Sequence, residues 1–528
     1  MRIGVDVGGT NTDAALMQGE RVIASCKQPT SANVSDGIVA AIRNVLAQSQ
    51  AAAADIRCVM IGTTHFTNAF VERRHLLDVG IIRVALPSSR GLPPLIDWPE
   101  SLLAEIGDHR YLVGGGFQYD GRLNGPLDEA AVTDAARDLK RKGIRTVAIT
   151  SIFSPVNGEQ EERAAEIVRD VMGDVPVTLS HTIGRVGLLE RENAAVMNAS
   201  LSDLSVRVVS SFRTALRELA IEAPFYISQN DGTLMSADFV ERYPVLTFAS
   251  GPTNSMRGAA YLSRISDALV ADIGGTTTDI GMLNKGFPRE SSVAVNIGGV
   301  RTNFRMPDVM ALGLGGGSLV VDVDGDVTVG PRSVGFELTQ RALIFGGDTL
   351  TASDIAVAAG YADFGDRERV ASLDRRLVNA ALDRIHAIVA DGVDQMKVSA
   401  DPIPLVLVGG GAVLINRELP GVSEVIVPEF AGVANAIGAA IAQVSGETDR
   451  VFCYADTGRE AAIEQARREA IEQAVRAGAR EETIEILDIE EVPLAYMPGG
   501  AVRLRVKVAG QLAIGDAQTH PRNGGGQS

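Results

Sequence analysis

The chain has 528 residues, 45% hydrophobic and 22% charged, a globular composition that excludes wholesale disorder. Its 49 basic residues stand against 66 acidic ones, a net charge of −17, which argues against general binding to nucleic acid or to anionic membranes. Cys26, Cys58 and Cys453 lack metal-ligand spacing and read as reduced thiols, no apolar run reaches the roughly 20 residues of a membrane span, and a strand from Ile3 leaves no room for a signal peptide, so a cytoplasmic protein is expected.

In chain order, the apolar Ile3-Gly4-Val5, the segment Asp6-Val7-Gly8-Gly9-Thr10-Asn11-Thr12-Asp13 and the apolar Ala14–Met17 predict strand, tight turn and strand. A third strand is expected over Arg21–Lys27, then an amphipathic helix from about Ser35 with Ile38, Ile42, Val45 and Leu46 on one face. A buried strand Arg57–Ile61, a helix entered through Gly62-Thr63-Thr64 and a strand Val79–Leu86 complete the unit. A further α/β segment over about 127–180 and a long helical stretch from Val186 to Leu219 follow.

At Asp272-Ile273-Gly274-Gly275-Thr276-Thr277-Thr278-Asp279 the opening motif returns, identical at six of eight positions and again flanked by apolar runs, Ala268–Ala271 and Ile280–Leu283. This second unit, stretched by insertions, runs on to a strand Pro404–Val408, the turn Gly409-Gly410-Gly411, a short helix, a strand Glu424–Val427 and a helix Gly432–Val444. A βββαβαβα order twice over predicts two related α/β lobes with mixed sheets, residues 1–180 and 181–445. Beyond them, a charged helix Glu460–Ala477 and strands Glu482–Ile489 and Val502–Val508, flanking Pro498-Gly499-Gly500, predict a small α+β appendix over 446–514. Residues 515–528 read as a disordered tail.

The repeated hairpin suggests chemistry. Glycines at 8, 9, 274 and 275 let bare amides converge in a cradle for phosphate oxygens, with hydroxyls from Thr10 and Thr276 and further polar groups from Asn11, Thr12, Thr277 and Thr278. Asp6, Asp13, Asp272 and Asp279 would bracket the same anion, and each like-charge pair at about 4 Å costs about 4 kcal/mol at an effective dielectric near 20. A divalent cation between them resolves the conflict, so Mg²⁺ is expected beside phosphate. Gly409-Gly410-Gly411, after Leu405–Val408, fits a turn on which adenosine lies against backbone, which makes ATP the expected nucleotide. Gly62-Thr63-Thr64-His65 caps a helix whose amides suit a carboxylate or phosphoryl oxygen; an ordinary threonine cap is the competing reading, and His65 is either a proton shuttle or a structural histidine. The Gly313–Ser318 loop reads as part of the cleft or as a plain loop, and Arg191-Glu192-Asn193 as a solvated or interdomain charge face.

Two Asp-x-Gly-Gly-Thr hairpins and an apolar-Gly-Gly-Gly turn resemble the actin/hexokinase/heat-shock-chaperone ATPase superfamily. More specifically, the chain resembles a short form of the hydantoinase A/oxoprolinase family. The resemblance rests on Asp6–Asp13, Gly62–Ala69 with Glu72-Arg73-Arg74, Gln229–Ser236, Ser250-Gly251-Pro252, Asp272–Asp279, Gly315–Ser318 and Ala434–Ala439. It implies duplicated actin-like ATPase lobes and ATP-dependent opening of a cyclic amide, a hydantoin, 5-oxoproline or related lactam, through phosphorylation of the amide carbonyl oxygen. By the same resemblance Asp6, Asp272 and Asp279 would hold Mg²⁺, Asp13 would orient the nucleophile, and Thr63, Thr64 and His65 would serve the substrate. Histidines usual at the places of Ile61 and Met310 are absent, so no role carries over to those two positions. A B-type hydantoinase subunit is the expected partner and homo-oligomerisation a further candidate. A small-molecule kinase of the same superfamily and an ATP-driven reactivase or assembly chaperone are the alternatives.

Overall fold

The computed structural model describes residues 1–8, 11–29, 34–291, 294–303, 306–494 and 500–513. The expectations for Gly9, Thr10, Pro498, Gly499 and the tail 515–528 lie outside the described residues. The chain divides into two compact units, Met1–Ala442 and Gln443–Ser528. Among the described residues no helix is long and apolar enough to cross a membrane.

In the first unit β1 (Arg2–Val7), β2 (Asn11–Gln18) and β3 (Arg21–Pro29) form an antiparallel meander, and β4 (Cys58–Thr63) lies parallel to β1 on its other side. The chain then leaves this sheet. Strands β5 (Val79–Leu86), β6 (His109–Gly114), β7 (Thr146–Ser151) and β8 (Val177–Leu179) make a separate parallel sheet in the order β6-β5-β7-β8. After two helices, Leu188–Ser200 and Ser202–Glu218, β9 (Phe225–Ser228) returns parallel to β4, and β10 (Leu234–Ser236) completes the order β10-β9-β4-β1-β2-β3. Val79–Leu86 therefore does not complete the first unit. Its run of buried apolar residues suits any parallel strand covered on both faces, and the sheet it joins is set by β7, far along the chain. A first lobe bounded at residue 180 likewise loses β9 and β10, which belong to its sheet.

The second lobe repeats the plan. Strands β11 (Leu269–Ile273) and β12 (Thr278–Asn284) form the hairpin, with β13 (Phe287–Pro288) beside β12. After a small hairpin, β14 (Val295–Ile297) and β15 (Val300–Thr302), β16 (Val309–Leu312) pairs antiparallel with β12. A second excursion, the hairpin β17 (Ser318–Val323) and β18 (Asp326–Ser333), precedes β19 (Ile403–Val408), parallel to β11, and β20 (Val422–Ile426), parallel to β19. Written from the third strand of each repeat to the fifth, the orders are β3-β2-β1-β4-β9 and β16-β12-β11-β19-β20. The duplication read in the hairpins extends over both sheets.

Helix Val34–Ser49 covers one face of the first sheet, with Ile38, Ile42 and Val45 fully buried, each side chain contributing roughly 1.5–3 kcal/mol through burial. The other face receives helices Ser250–Ser263 and Ala434–Ile441, which cross backbone against backbone. A Cβ on Gly258 would stand 2.0 Å from the Ala434 carbonyl oxygen, and one on Gly438 1.9 Å from that of Asn254. The Arg191-Glu192-Asn193 triplet is buried rather than solvated: Arg83 of β5 meets Glu192, Arg191 donates to Ser180 and to the Ser151 carbonyl, and Asn193 accepts from the Trp98 indole. It joins the parallel four-stranded sheet to helix Leu188–Ser200.

The second unit is an antiparallel sheet in the order β21-β23-β22, from β21 (Val444–Cys453), β22 (Glu485–Pro493) and β23 (Ala501–Gly510), with helix Arg459–Arg476 on one face. That helix buries only Ala462, Ala466, Ala470 and Ala474, one small residue per turn, so it sits close enough for a Cβ on Gly446 to strike the Ala470 carbonyl.

Candidate functional site

The two hairpins bring their carboxylates to one cleft of about 230 Å³ in the first unit. Strand register puts Asp6 opposite Asp13 and Asp272 opposite Asp279, so each strand pair carries one carboxylate dyad. All four line the cleft with Gly8, Asn11, Gly274, Gly275, Thr276 and Thr277 from the hairpins. Thr12 and Thr278 do not. A strand alternates its faces, and with Asn11 and Asp13 or Thr277 and Asp279 directed to the cleft, the threonine between them enters the opposite side. Thr278 is fully buried there and donates to the Leu314 carbonyl at 2.7 Å.

The floor of the cleft comes from the crossing helices. Asn254 donates to Asp6 Oδ1 and Asn435 to Asp6 Oδ2, both at 3.4 Å. Ser255 donates to Asp272 Oδ2 and also stands within hydrogen-bond distance of Asn435 Oδ1. A polar chain thus links the first-lobe carboxylate to the second-lobe one. Gly62, beside Asp6 on β4, makes room for it, since a Cβ there would lie 2.3 Å from Asp6 Oδ1 and 2.4 Å from Asn254 Nδ2.

Burial dominates the electrostatics. It holds the Asp6 and Asp272 carboxyls above the usual carboxylate range against the hydrogen bonds they accept, with the Asp272 charge adding to the rise at Asp6. Asp279 is pushed up to about 7 by burial and by Asp272. Asp13 is pushed up to about 6 by burial, although Lys27 Nζ sits 2.6 Å from its Oδ2 and opposes the shift. Asp13 Oδ1 is buried and has no hydrogen-bond partner among the described residues. Four crowded acids with one cation among the lining residues make a site that favours added positive charge. No three histidine, cysteine, aspartate or glutamate groups among the described residues form a metal cage.

Around this centre the glycine turn separates into different tasks. Gly409 and Gly410 both line the cleft, but a Cβ on Gly410 would meet no described atom within 4 Å, whereas one on Gly409 or Gly411 would strike Asp272 or Ile273. The Gly313–Ser318 loop lies behind the second hairpin, with Gly316 and Gly317 amides donating to the Gly274 and Gly275 carbonyls at 3.0 and 2.7 Å. Thr64 lines the cleft beside Gly251 and Pro252. Thr63 is fully buried, its hydroxyl 2.7 Å from His65 Nδ1, and burial holds the half-buried imidazole below the ordinary histidine range. Neither Thr63 nor His65 is among the lining residues.

Sequence reasoning passed over Lys27, Asn254 and Ser255, and assigned no role to Asn435. A signal was present for three of them. Thr253-Asn254-Ser255 is a run of three polar residues in the buried first half of helix Ser250–Ser263, and Asn435 is the one polar residue of Ala434–Ile441. Buried polar residues in such helices need partners.

The description "Hydantoinase/oxoprolinase N-terminal region" matches residues 2–172, and "Hydantoinase/oxoprolinase" matches residues 191–366. The chain is 29% identical over 441 residues to the caprolactamase subunit alpha of Pseudomonas jessenii, a match covering 77% of this chain and 61% of that one. It is 28% identical over 396 residues to the acetophenone carboxylase gamma subunit of Aromatoleum aromaticum, covering 68% and 53%. The matches therefore span less than two thirds of either relative. The solved structure of ATP-dependent caprolactamase from Pseudomonas jessenii superposes with a TM-score of 0.77 at 21% identity, over 97% of this chain and 88% of that one, which shows the shared fold.

Proposed function

The chain belongs to the hydantoinase/oxoprolinase family, and from that premise we propose that it is an ATP-hydrolysing enzyme, or the ATPase subunit of one, that opens a cyclic amide. The observation that carries the reading is the convergence of the Asp6/Asp13 and Asp272/Asp279 dyads, with their glycine turns, on one cleft. The Gly8 and Gly274 amides close their own turns on the Asn11 and Thr277 carbonyls at 3.0 and 2.9 Å, so the Gly275 amide with the Thr276 and Thr277 residues beside it would hold phosphate oxygens, and the open face of Gly410 would accept the nucleoside. Mg²⁺ fits this donor set, because it keeps several waters and takes few protein carboxylates, and Asp6, Asp272 and Asp279 would hold it through water and offset phosphate charge.

An amide carbonyl is a poor electrophile. If its oxygen attacks the terminal phosphorus, an O–P bond forms as the bond to ADP breaks. Water then adds to the activated carbon, and scission of the C–N bond gives an amine and an acyl phosphate. A second water at the acyl carbon releases phosphate bearing the original carbonyl oxygen and leaves the carboxylate. Asp13, on the cleft wall with one oxygen lacking a partner among the described residues, would orient an attacking water, and Thr64 beside Gly251 would position the substrate. Thr63 and His65 act from behind that wall, the imidazole fixed by the Thr63 hydroxyl.

A second reading has its own support in the acetophenone carboxylase subunit, named for a ketone rather than a lactam. Both readings include a carbonyl group and, on the relatives' subunit names, a further chain, here a B-type hydantoinase subunit or its counterpart. Heavy oxygen in a substrate carbonyl tests the reading. ATP turnover stimulated by a lactam should yield ring-opened product and labelled phosphate, with the partner chain supplied if this chain alone is silent. Ring opening with no label in phosphate would reject the route, and stimulation only by ketones with bicarbonate would favour a carboxylase.

A further inference from the structure

The two carboxylate dyads are not equivalent, and the difference sits on the third strand of each repeat. Register on β2 and β3 places Lys27 directly across from Asp13, while register on β12 and β16 places Ala311 across from Asp279. Lys27 and Ala311 occupy the same position in the duplicated fold. The first-lobe dyad therefore carries an ammonium group and the second-lobe dyad a methyl group. Lys27 is the only cation among the described residues lining the cleft. Its ammonium is 2.6 Å from Asp13 Oδ2, and its side chain remains 36% exposed against 8% for Asp13, so it is held at the cleft rim with room to turn.

We propose that Lys27 is the residue that receives the terminal phosphate, and that it fixes the direction in which the triphosphate lies across the duplicated cleft. The proposal rests on the ATP reading above. A pseudo-symmetric pair of phosphate hairpins leaves two orientations open, terminal phosphate toward either lobe. Mg²⁺ near Asp272 is shared by either orientation, so the ammonium removes that degeneracy: among the described lining residues a terminal phosphate beside Asp279 and Ala311 would meet no cationic side chain, whereas beside Asp13 it meets Lys27. The glycine turn agrees, since the open position, Gly410, belongs to the second lobe and leaves the first-lobe end for the phosphate tail. As the ammonium turns from Asp13 to the phosphate, the carboxylate is released to water at the point where the acceptor must be activated. No covalent step is assigned to Lys27, which holds and orients.

Nucleotide affinity separates this role from a structural one. The full-length chain is titrated calorimetrically, in Mg²⁺, with ADP and with a non-hydrolysable ATP analogue, as wild type, Lys27→Met and Lys27→Arg. Lys27→Met should weaken the ATP analogue by roughly 10- to 100-fold, the worth of a hydrogen bond between charged groups, and leave ADP within about twofold. Lys27→Arg should recover most of the analogue's affinity. Equal loss for both nucleotides would mean that Lys27 only props the hairpin, and unchanged affinity for both would mean that it does not reach phosphate; either result overturns the proposal. Failure of the wild type to bind either nucleotide would overturn the ATP reading itself, and the inference with it.

Discussion

The three consecutive glycines of the second-lobe turn should respond in three different ways to alanine. At Gly409 the backbone φ is +84°, a left-handed conformation that costs a non-glycine residue ~1–2 kcal/mol. A Cβ there would also stand 2.4 Å from Asp272 Oδ1 and 2.5 Å from the Ile273 carbonyl oxygen. Overpacking of that kind adds ~1–3 kcal/mol. Gly409→Ala should therefore lose roughly 2–5 kcal/mol, a large part of the ~5–15 kcal/mol that holds a domain folded. Gly411→Ala escapes the backbone strain but places its methyl 2.5 Å from Ile273 Cγ2, so the packing cost of ~1–3 kcal/mol remains. Gly410→Ala meets nothing within 4 Å and should change stability by no more than ~0.5 kcal/mol. Its methyl nevertheless enters the cleft, so ADP affinity should fall. Trp98, the single tryptophan, is buried in the first unit, so its fluorescence in urea follows that unit alone. Equal destabilisation of the 409 and 410 variants would refute the geometric reasoning, and wild-type ADP affinity in Gly410→Ala would remove adenosine from this turn.

Asp272→Asn should keep the thermal midpoint at or above that of the wild type, because it relieves crowding among buried acids, while Mg²⁺-dependent nucleotide binding in calorimetry is largely lost. Arg83→Met should destabilise the first unit by ~3–5 kcal/mol in urea, since Glu192 is left charged and buried, and adding Glu192→Leu should recover part of that loss. Glu161 is fully buried, and although burial alone would raise it, His181, Arg191 and Ser154 hold it below the ordinary glutamate range. A depressed folded value contributes stability that is complete above the unfolded value, ~4.3, and is lost as pH falls through the folded one, so Glu161→Gln should flatten the fall in stability below pH ~4.5.

What was legible in the sequence was what repeats or alternates locally. The hairpins declared themselves because one eight-residue pattern occurs twice, and alternation was sufficient to tell which residues between the two aspartates face the cleft, although it was not applied to Thr12 and Thr278. The fifth strand of the first repeat was not legible. Both Val79–Leu86 and Phe225–Ser228 are short apolar runs, and nothing local distinguishes a strand that stays in a sheet from one that opens an inserted domain. For the Arg191-Glu192-Asn193 triplet the solvated alternative failed for a related reason: charged residues are seldom buried, and the arginine that makes burial tolerable, Arg83, lies in another element. Lys27 stood in plain view at the end of a predicted strand, but its importance depends on the register of β2 against β3.

The crossing helices explain why a duplicated fold of this kind can join binding to motion. Each brings polar groups to the carboxylates of both lobes: Ser250–Ser263 supplies Asn254 to Asp6 and Ser255 to Asp272, and Ala434–Ile441 supplies Asn435 between them. The same two helices touch at Gly258 and Gly438, where backbone meets backbone with no side chain to act as a cushion. A close contact without side chains permits rotation while resisting separation. A turn of one lobe against the other about that contact would change the lengths of the hydrogen bonds at the cleft floor, which tie these helices to strands of both lobes. The positions of Asp6 and Asp272 are then functions of the lobe angle. A ligand that fixes their spacing, as a phosphate chain with a divalent cation would, would favour one angle by as much as its affinity differs between the angles.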